Sequence, residues 1–113
     1  MEKIIPDYLQ NLSSFLQKTS YSEIPENVIE RSRLVFADSM AAIIGGSAEP
    51  EVETLTKRML LSKNPGTASV LGTGLSGEPM TVSVINGSAG TFLEMDEGNQ
   101  FCRGHPGMQV VPA

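Results

Sequence analysis

A single cysteine among 113 residues leaves no internal disulfide framework, so a reducing, cytoplasmic setting is expected. Basic charge is also scarce. Eight Lys and Arg face 13 Asp and Glu, for a net charge of −5. The basic residues are scattered, and no phosphate-neutralising surface is legible, so neither nucleic acid nor an anionic membrane is an expected partner. An anionic small molecule stays open, because a local site can differ from the average charge. No apolar run approaches the length of a bilayer span. Residues 1–7 lack the basic-then-apolar order of a secretory leader. There is no collagen-like glycine period, and 40% hydrophobic residues exclude intrinsic disorder. The length suffices for one domain and not for two.

What is present reads as mainly α. Tyr8, Leu9, Leu12, Phe15 and Leu16 have helical spacing between Asp7 and Lys18, charges that suit the two ends of a helix dipole. After a polar break, Pro25 precedes a second helix over about 26–44. Its stripe is Ile29, Arg33, Phe36, Met40 and Ile43, widened by Val28, Val35 and Ala42, and Gly45-Gly46 is expected to end it. A third helix is predicted over 50–62, with Val52, Leu55 and Met59 on one face, followed by an Asn64-Pro65-Gly66 turn. Residues 67–71 read as one short β-like connector. A fourth helix is predicted over 80–97, with Val84, Ile85, Ala89, Phe92 and Met95 on its buried side; Gly87, Ser88 and Gly90 suit close helix approach. Pro106 is expected to open a new element. The apolar stop at Val110-Val111-Pro112-Ala113 suggests a fragment, the alternative being a short frayed end.

Several residues carry candidate chemistry. Gly72-Thr73-Gly74-Leu75-Ser76-Gly77 matches the dinucleotide pattern G-x-G-x-x-G. Pro79 falls where the phosphate-binding helix should be running, so a turn is expected instead. Asp38, within Val35-Phe36-Ala37-Asp38-Ser39-Met40, reads as a structural carboxylate that needs partners. Asn86, among Val84, Ile85 and Ala89, reads either as a hydrogen-bonding group at a helix contact or as a substrate contact. The densest cluster is Glu94-Met95-Asp96-Glu97-Gly98 followed by Arg103-Gly104-His105-Pro106-Gly107. On the predicted helix, Glu94 and Glu97 share a face and Asp96 turns away, all three at an end where the dipole disfavours acids. No Cys or His pair has ligand spacing and no Glu-x-x-His is present, so no metal is expected. His105, the one histidine, is held extended by Pro106. It reads either as a structural residue or as a general acid or base beside a bound carboxylate. Thiol catalysis by Cys102 with His105 is disfavoured, since a loop leaves their geometry unconstrained.

The ordered series of these segments resembles the N-terminal part of the MmgE/PrpD family, which includes 2-methylcitrate dehydratase, cis-aconitate decarboxylase and iminodisuccinate epimerase. The resemblance runs from Ser20 to Ala113. It is carried by Ile24-Pro25-Glu26, the segment from Phe36 to Ser47, Ala68-Ser69-Val70-Leu71-Gly72-Thr73-Gly74, and Ile85-Asn86-Gly87-Ser88-Ala89. Leu93-Glu94-Met95-Asp96-Glu97-Gly98 and Gly104-His105-Pro106-Gly107 complete it.

The resemblance implies a largely helical domain, filled in part by residues 1–113, with a smaller α/β lid later in the chain. It implies homodimers, no obligatory metal or organic cofactor, and small di- or tricarboxylate substrates. The implied chemistry removes a proton or carboxylate next to a carboxylate-stabilised carbon. Carried over, Asp96 and His105 are the expected catalytic residues, and Glu94, Asn86, Gly98 and Arg103 the expected substrate contacts. Glu97 replaces the second Asp of the usual pair, Gly98 a threonine of some members, and Asn99 a frequent His. Two functions are therefore carried forward: the N-terminal fragment of a carboxylate lyase or epimerase, and an inactive helical remnant or dimerisation module.

Overall fold

Local charge and capping mark the ends of several helices. The computed structural model describes residues 5–61, 65–101 and 103–113. The first helix, α1, is Asp7–Lys18, with Asp7 in its first turn and Lys18 in its last, as the charges demanded. Ser20 opens a 3-10 turn, Tyr21–Glu23, where its backbone N–H donates to the Glu23 carboxylate at 2.8 Å. Next come α2 (Glu26–Ser47) and α3 (Pro50–Leu61), then two short strands, β1 (Ala68–Val70) and β2 (Leu75–Gly77). The chain continues as α4 (Pro79–Phe92) and a single-turn helix, α5 (Gly107–Val110). The result is mainly α with a β-hairpin where one β-like connector was expected. Positions 62–64 and Cys102 lie outside the described residues, so neither the Asn64 part of the expected turn nor the Cys102 reading is described. Among the described residues no helix is long and apolar enough to cross a membrane.

The chain forms two compact units, Met1–Arg31 and Ser32–Ala113. In the first, α1 buries none of its residues, and Tyr8, Leu12, Phe15 and Leu16 are exposed. Phe15, Leu16, Ile24, Pro25 and Val28 line an apolar groove within this unit.

The second unit holds the core, in two clusters. Ile43, Val52, Ala89 and Met108 join α2, α3, α4 and α5, with Leu71 and Val111 against them. Val70, Val82 and Ile85 pack beneath Met59, Leu60 and Ala68, seating the hairpin on α3 and α4. The hairpin is antiparallel with Val70 opposite Leu75. Gly72 and Gly74 in its loop have φ of 78° and 70°, values that favour glycine. The G-x-G-x-x-G segment is thus a hairpin loop and its second strand. The helix that follows is capped from within the chain: the Glu78 carboxylate accepts from the Met80 and Thr81 N–H groups at 3.1 and 2.9 Å. A carboxylate occupies the place where a dinucleotide phosphate would sit.

Three expectations are corrected. First, Gly45-Gly46 does not end α2, which continues to Ser47. A Cβ at Gly46 would collide with the Ala89 carbonyl, and one at Gly90 with the Met108 sulfur and, at 3.0 Å, Ile43. These glycines serve a close approach of α2 and α4. Second, the buried face of α2 is Ser39, Ala42, Ile43, Gly46 and Ser47, so Phe36 is exposed. Asp38 is exposed as well; the buried polar residue is its neighbour Ser39. One position along a helix turns a side chain by about 100°, enough to carry it from core to surface. Third, α4 stops at Phe92, with Glu94 at a φ of 53°. A left-handed residue cannot continue a right-handed helix. The three acids are therefore on a loop, Met95 and Phe92 are exposed, and Val84 faces solvent.

The close approach sets a stability test. Gly46→Ala is expected to lower unfolding stability by about 1–3 kcal/mol through overpacking. Gly98→Ala, at a position with open space around it, should change stability by less than about 0.5 kcal/mol. Urea unfolding followed by circular dichroism measures both.

Candidate active site

The loop from Leu93 to Pro106 folds back on itself through local hydrogen bonds. The Asn99 carboxamide oxygen accepts from the Phe101 N–H at 2.9 Å, bending the chain into a tight turn. The Asn99 N–H then donates to the Gly104 carbonyl at 2.9 Å, an isolated antiparallel bridge. Pairing 99 with 104 brings the flanking segments together, and Asp96 meets His105. Glu94 and Arg103, with φ of 53° and 51°, bracket the fold-back in left-handed conformations that non-glycine residues rarely adopt. Such strain persists only where surrounding structure imposes it.

The Asp96 carboxylate is 3% exposed, whereas the His105 imidazole is 53% exposed. His105 Nδ1 lies 3.1 Å from Asp96 Oδ2. Oδ2 accepts no aligned hydrogen bond, so the contact is a close approach rather than a directed bond. A carboxylate withdrawn from water needs a compensating partner, and the imidazole is the one beside it. The pair joins a buried carboxyl group to a half-exposed ring, an arrangement that suits proton exchange with a bound molecule.

Glu97 holds the other side of the loop. Its Oε2 accepts from the Gly107 N–H at 3.0 Å, tying the acidic segment to the first residue of α5. Beneath Gly107 lies Ser39, fully buried on α2. A Cβ at Gly107 would lie 2.7 Å from Ser39 Oγ and 3.0 Å from Glu97 Oε2. Neither Ser39 nor Glu97 is among the site residues expected from the sequence. The signal for Ser39 was its step of four before Ile43 on a helix face, masked by the carboxylate next to it.

The other expected residues are distributed as follows. Glu94, Gly98 and Arg103 are exposed on the same loop as Asp96 and His105. Asn86 bonds backbone on both sides of its carboxamide. Its Nδ2 donates to the Ser69 carbonyl and its Oδ1 accepts from the Leu71 N–H, both at 3.1 Å. The buried carboxamide thus clamps β1 onto α4, which is the hydrogen-bonding role, made to a strand rather than to another helix. Among the described residues, no group of three or more His, Cys, Asp or Glu side chains converges as a metal cage would. A separate concavity lies among Ser47, Thr56, Lys57 and Thr73, residues outside the Asp96–His105 loop.

The described residues form a mainly helical domain with an acidic loop and a His105-Pro106 step into a short helix. The model of the MmgE/PrpD N-terminal domain matches residues 10–113. The chain belongs to the MmgE/PrpD family. The search of curated proteins and that of solved structures gave no match.

The Asn86 clamp carries its own test. Asn86→Ala would leave the Ser69 carbonyl and the Leu71 N–H unpaired, and is expected to cost about 1–3 kcal/mol. Amide exchange followed by NMR should show the Leu71 N–H losing protection first.

Proposed function

We propose that this chain is the N-terminal domain of a cofactor-independent lyase or epimerase acting on small di- or tricarboxylates, with His105 as its acid/base group. The observation that supports this reading is the half-exposed His105 imidazole set against the buried Asp96 carboxylate. A small rotation that aligned Nδ1–H with Asp96 would hold the proton on that nitrogen and leave Nε2 to accept one from a substrate carbon. Asp96 then offsets the charge that develops on the ring. Proton abstraction next to a carboxylate creates an anion that needs donors or positive charge around it. Arg103 supplies one cation on the same loop, and Glu94 and Gly98 line the exposed approach. The family supplies the class of reaction, and the choice among dehydration, decarboxylation and epimerisation rests with groups beyond this domain.

Isothermal calorimetry with citrate, 2-methylcitrate, cis-aconitate and iminodisuccinate analogues tests the proposal. Saturable binding of at least one is expected, weakened by about tenfold or more in His105→Ala and in Asp96→Asn. Equal affinity of the parent and His105→Ala for every compound bound would remove His105 from the site.

The exposed apolar face of α1 favours a second reading, a dimerisation module, which is compatible with the first. Tyr8, Leu12, Phe15 and Leu16 stand on it without burial. A second copy of the chain is the proposed partner. Light scattering should give twice the mass of one chain, and Leu12→Glu with Phe15→Glu should return it to one.

A further inference from the structure

Ser39 and Glu97 converge on Gly107 from two different parts of the chain. Ser39 lies in the middle of α2 and is fully buried, and its Oγ has no hydrogen-bond partner. A buried hydroxyl left unpaired carries a desolvation cost, so the seat depends on the small size of residue 39 rather than on its hydroxyl. Its neighbour across the contact is the bare Gly107 α-carbon, where a Cβ would lie only 2.7 Å from Oγ. On the other flank Glu97 Oε2 takes the Gly107 N–H at 3.0 Å. Gly107 is thus seated from below by a helix and tied from the side by the acidic loop. His105 stands two residues earlier, with a proline between them whose ring restricts the backbone. Little freedom is left for the chain between the seat and the imidazole.

We propose that Ser39 and Glu97 form a positioning clamp on Gly107 that holds His105 against Asp96. This rests on the reading of His105 as the acid/base group, but its structural half is independent of any substrate. The clamp explains why Gly107 must lack a side chain. It also gives a role to Glu97, where the resemblance led to an expectation of aspartate: Glu has one methylene more with which to reach across to Gly107. Neither Ser39 nor Glu97 needs to touch a substrate for this; each acts through Gly107.

His105 is the one histidine, so its ring gives a single set of NMR signals. Asp96→Asn supplies the reference for a ring that has lost its carboxylate. Ser39→Val, Glu97→Ala and Gly107→Ala are expected to move the ring signals by more than about half of the displacement seen in Asp96→Asn. Ser39→Ala and Glu97→Gln keep the small side chain and the acceptor oxygen respectively, and should leave the ring where it is in the parent. Ser39→Ala should also melt no lower than the parent, since it removes an unpaired buried hydroxyl. Ring signals at the parent position in folded Glu97→Ala and Gly107→Ala would overturn the clamp. If Ser39→Val fails to fold, as circular dichroism would show, those two variants decide the matter. Absence of carboxylate binding by the parent would instead count against the proposed function, leaving the ring signals to judge the clamp. Where the parent does bind, Glu97→Ala should weaken binding about tenfold and Glu97→Gln by much less.

Discussion

The close approach of α2 and α4 is the constraint on which the second unit depends. Gly46 lies against the Ala89 carbonyl, and Gly90 gives room to Ile43 and the Met108 sulfur. Interiors are packed as densely as organic crystals, so helices brought this near must present almost no side chain at the crossing. Two consequences follow. Ile43, Ala89 and Met108 share one cluster, which fixes α5 on the α2–α4 pair. The same face of α2 carries Ser39, one turn before Ile43, beneath Gly107. The helix contact that builds the core therefore also sets where the His105 loop lands.

The candidate site is a loop device on a helical support. Asn99 turns the chain, its N–H closes the bridge to Gly104, and Asp96 and His105 come together as a result. The buried Asp96 carboxyl group lies against an imidazole, and an imidazole that is half exposed can still reach a solute. The two left-handed residues at Glu94 and Arg103 show that the loop is bent against local preference. Other anion-binding features were excluded by equally local means. Glu78 fills the N-terminus of α4 with its own carboxylate, and the glycine pattern before it forms a hairpin.

The first unit presents a different situation. α1 is amphipathic, yet none of its residues is buried. A helix of this length gains little from propensity alone, and an apolar stripe of Tyr8, Leu12, Phe15 and Leu16 usually finds cover. That imbalance is the physical ground for the dimerisation proposal, although the second unit also leaves large apolar side chains such as Leu61, Met80 and Phe101 exposed.

Element existence was legible in the sequence because it depends on near neighbours. Asp7 and Lys18 bound α1, Pro50 opens α3, Pro106 leads into α5, and Val52, Leu55 and Met59 turn one face of α3 inward. The family was legible for the same reason, since order and spacing of short segments survive without coordinates. Tertiary structure decided what neighbours cannot. It carried α2 through a glycine pair that would end a helix in isolation, since close packing on α4 outweighs the local preference. It stopped α4 at Phe92, moved the burial from Asp38 to Ser39, and turned Asn86 toward the backbone of β1. Asp96 and His105 are adjacent only because a loop bridge folds nine positions of chain back on themselves. Propensity and capping act within a turn or two of helix. Contact between distant residues is a property of the packed chain alone.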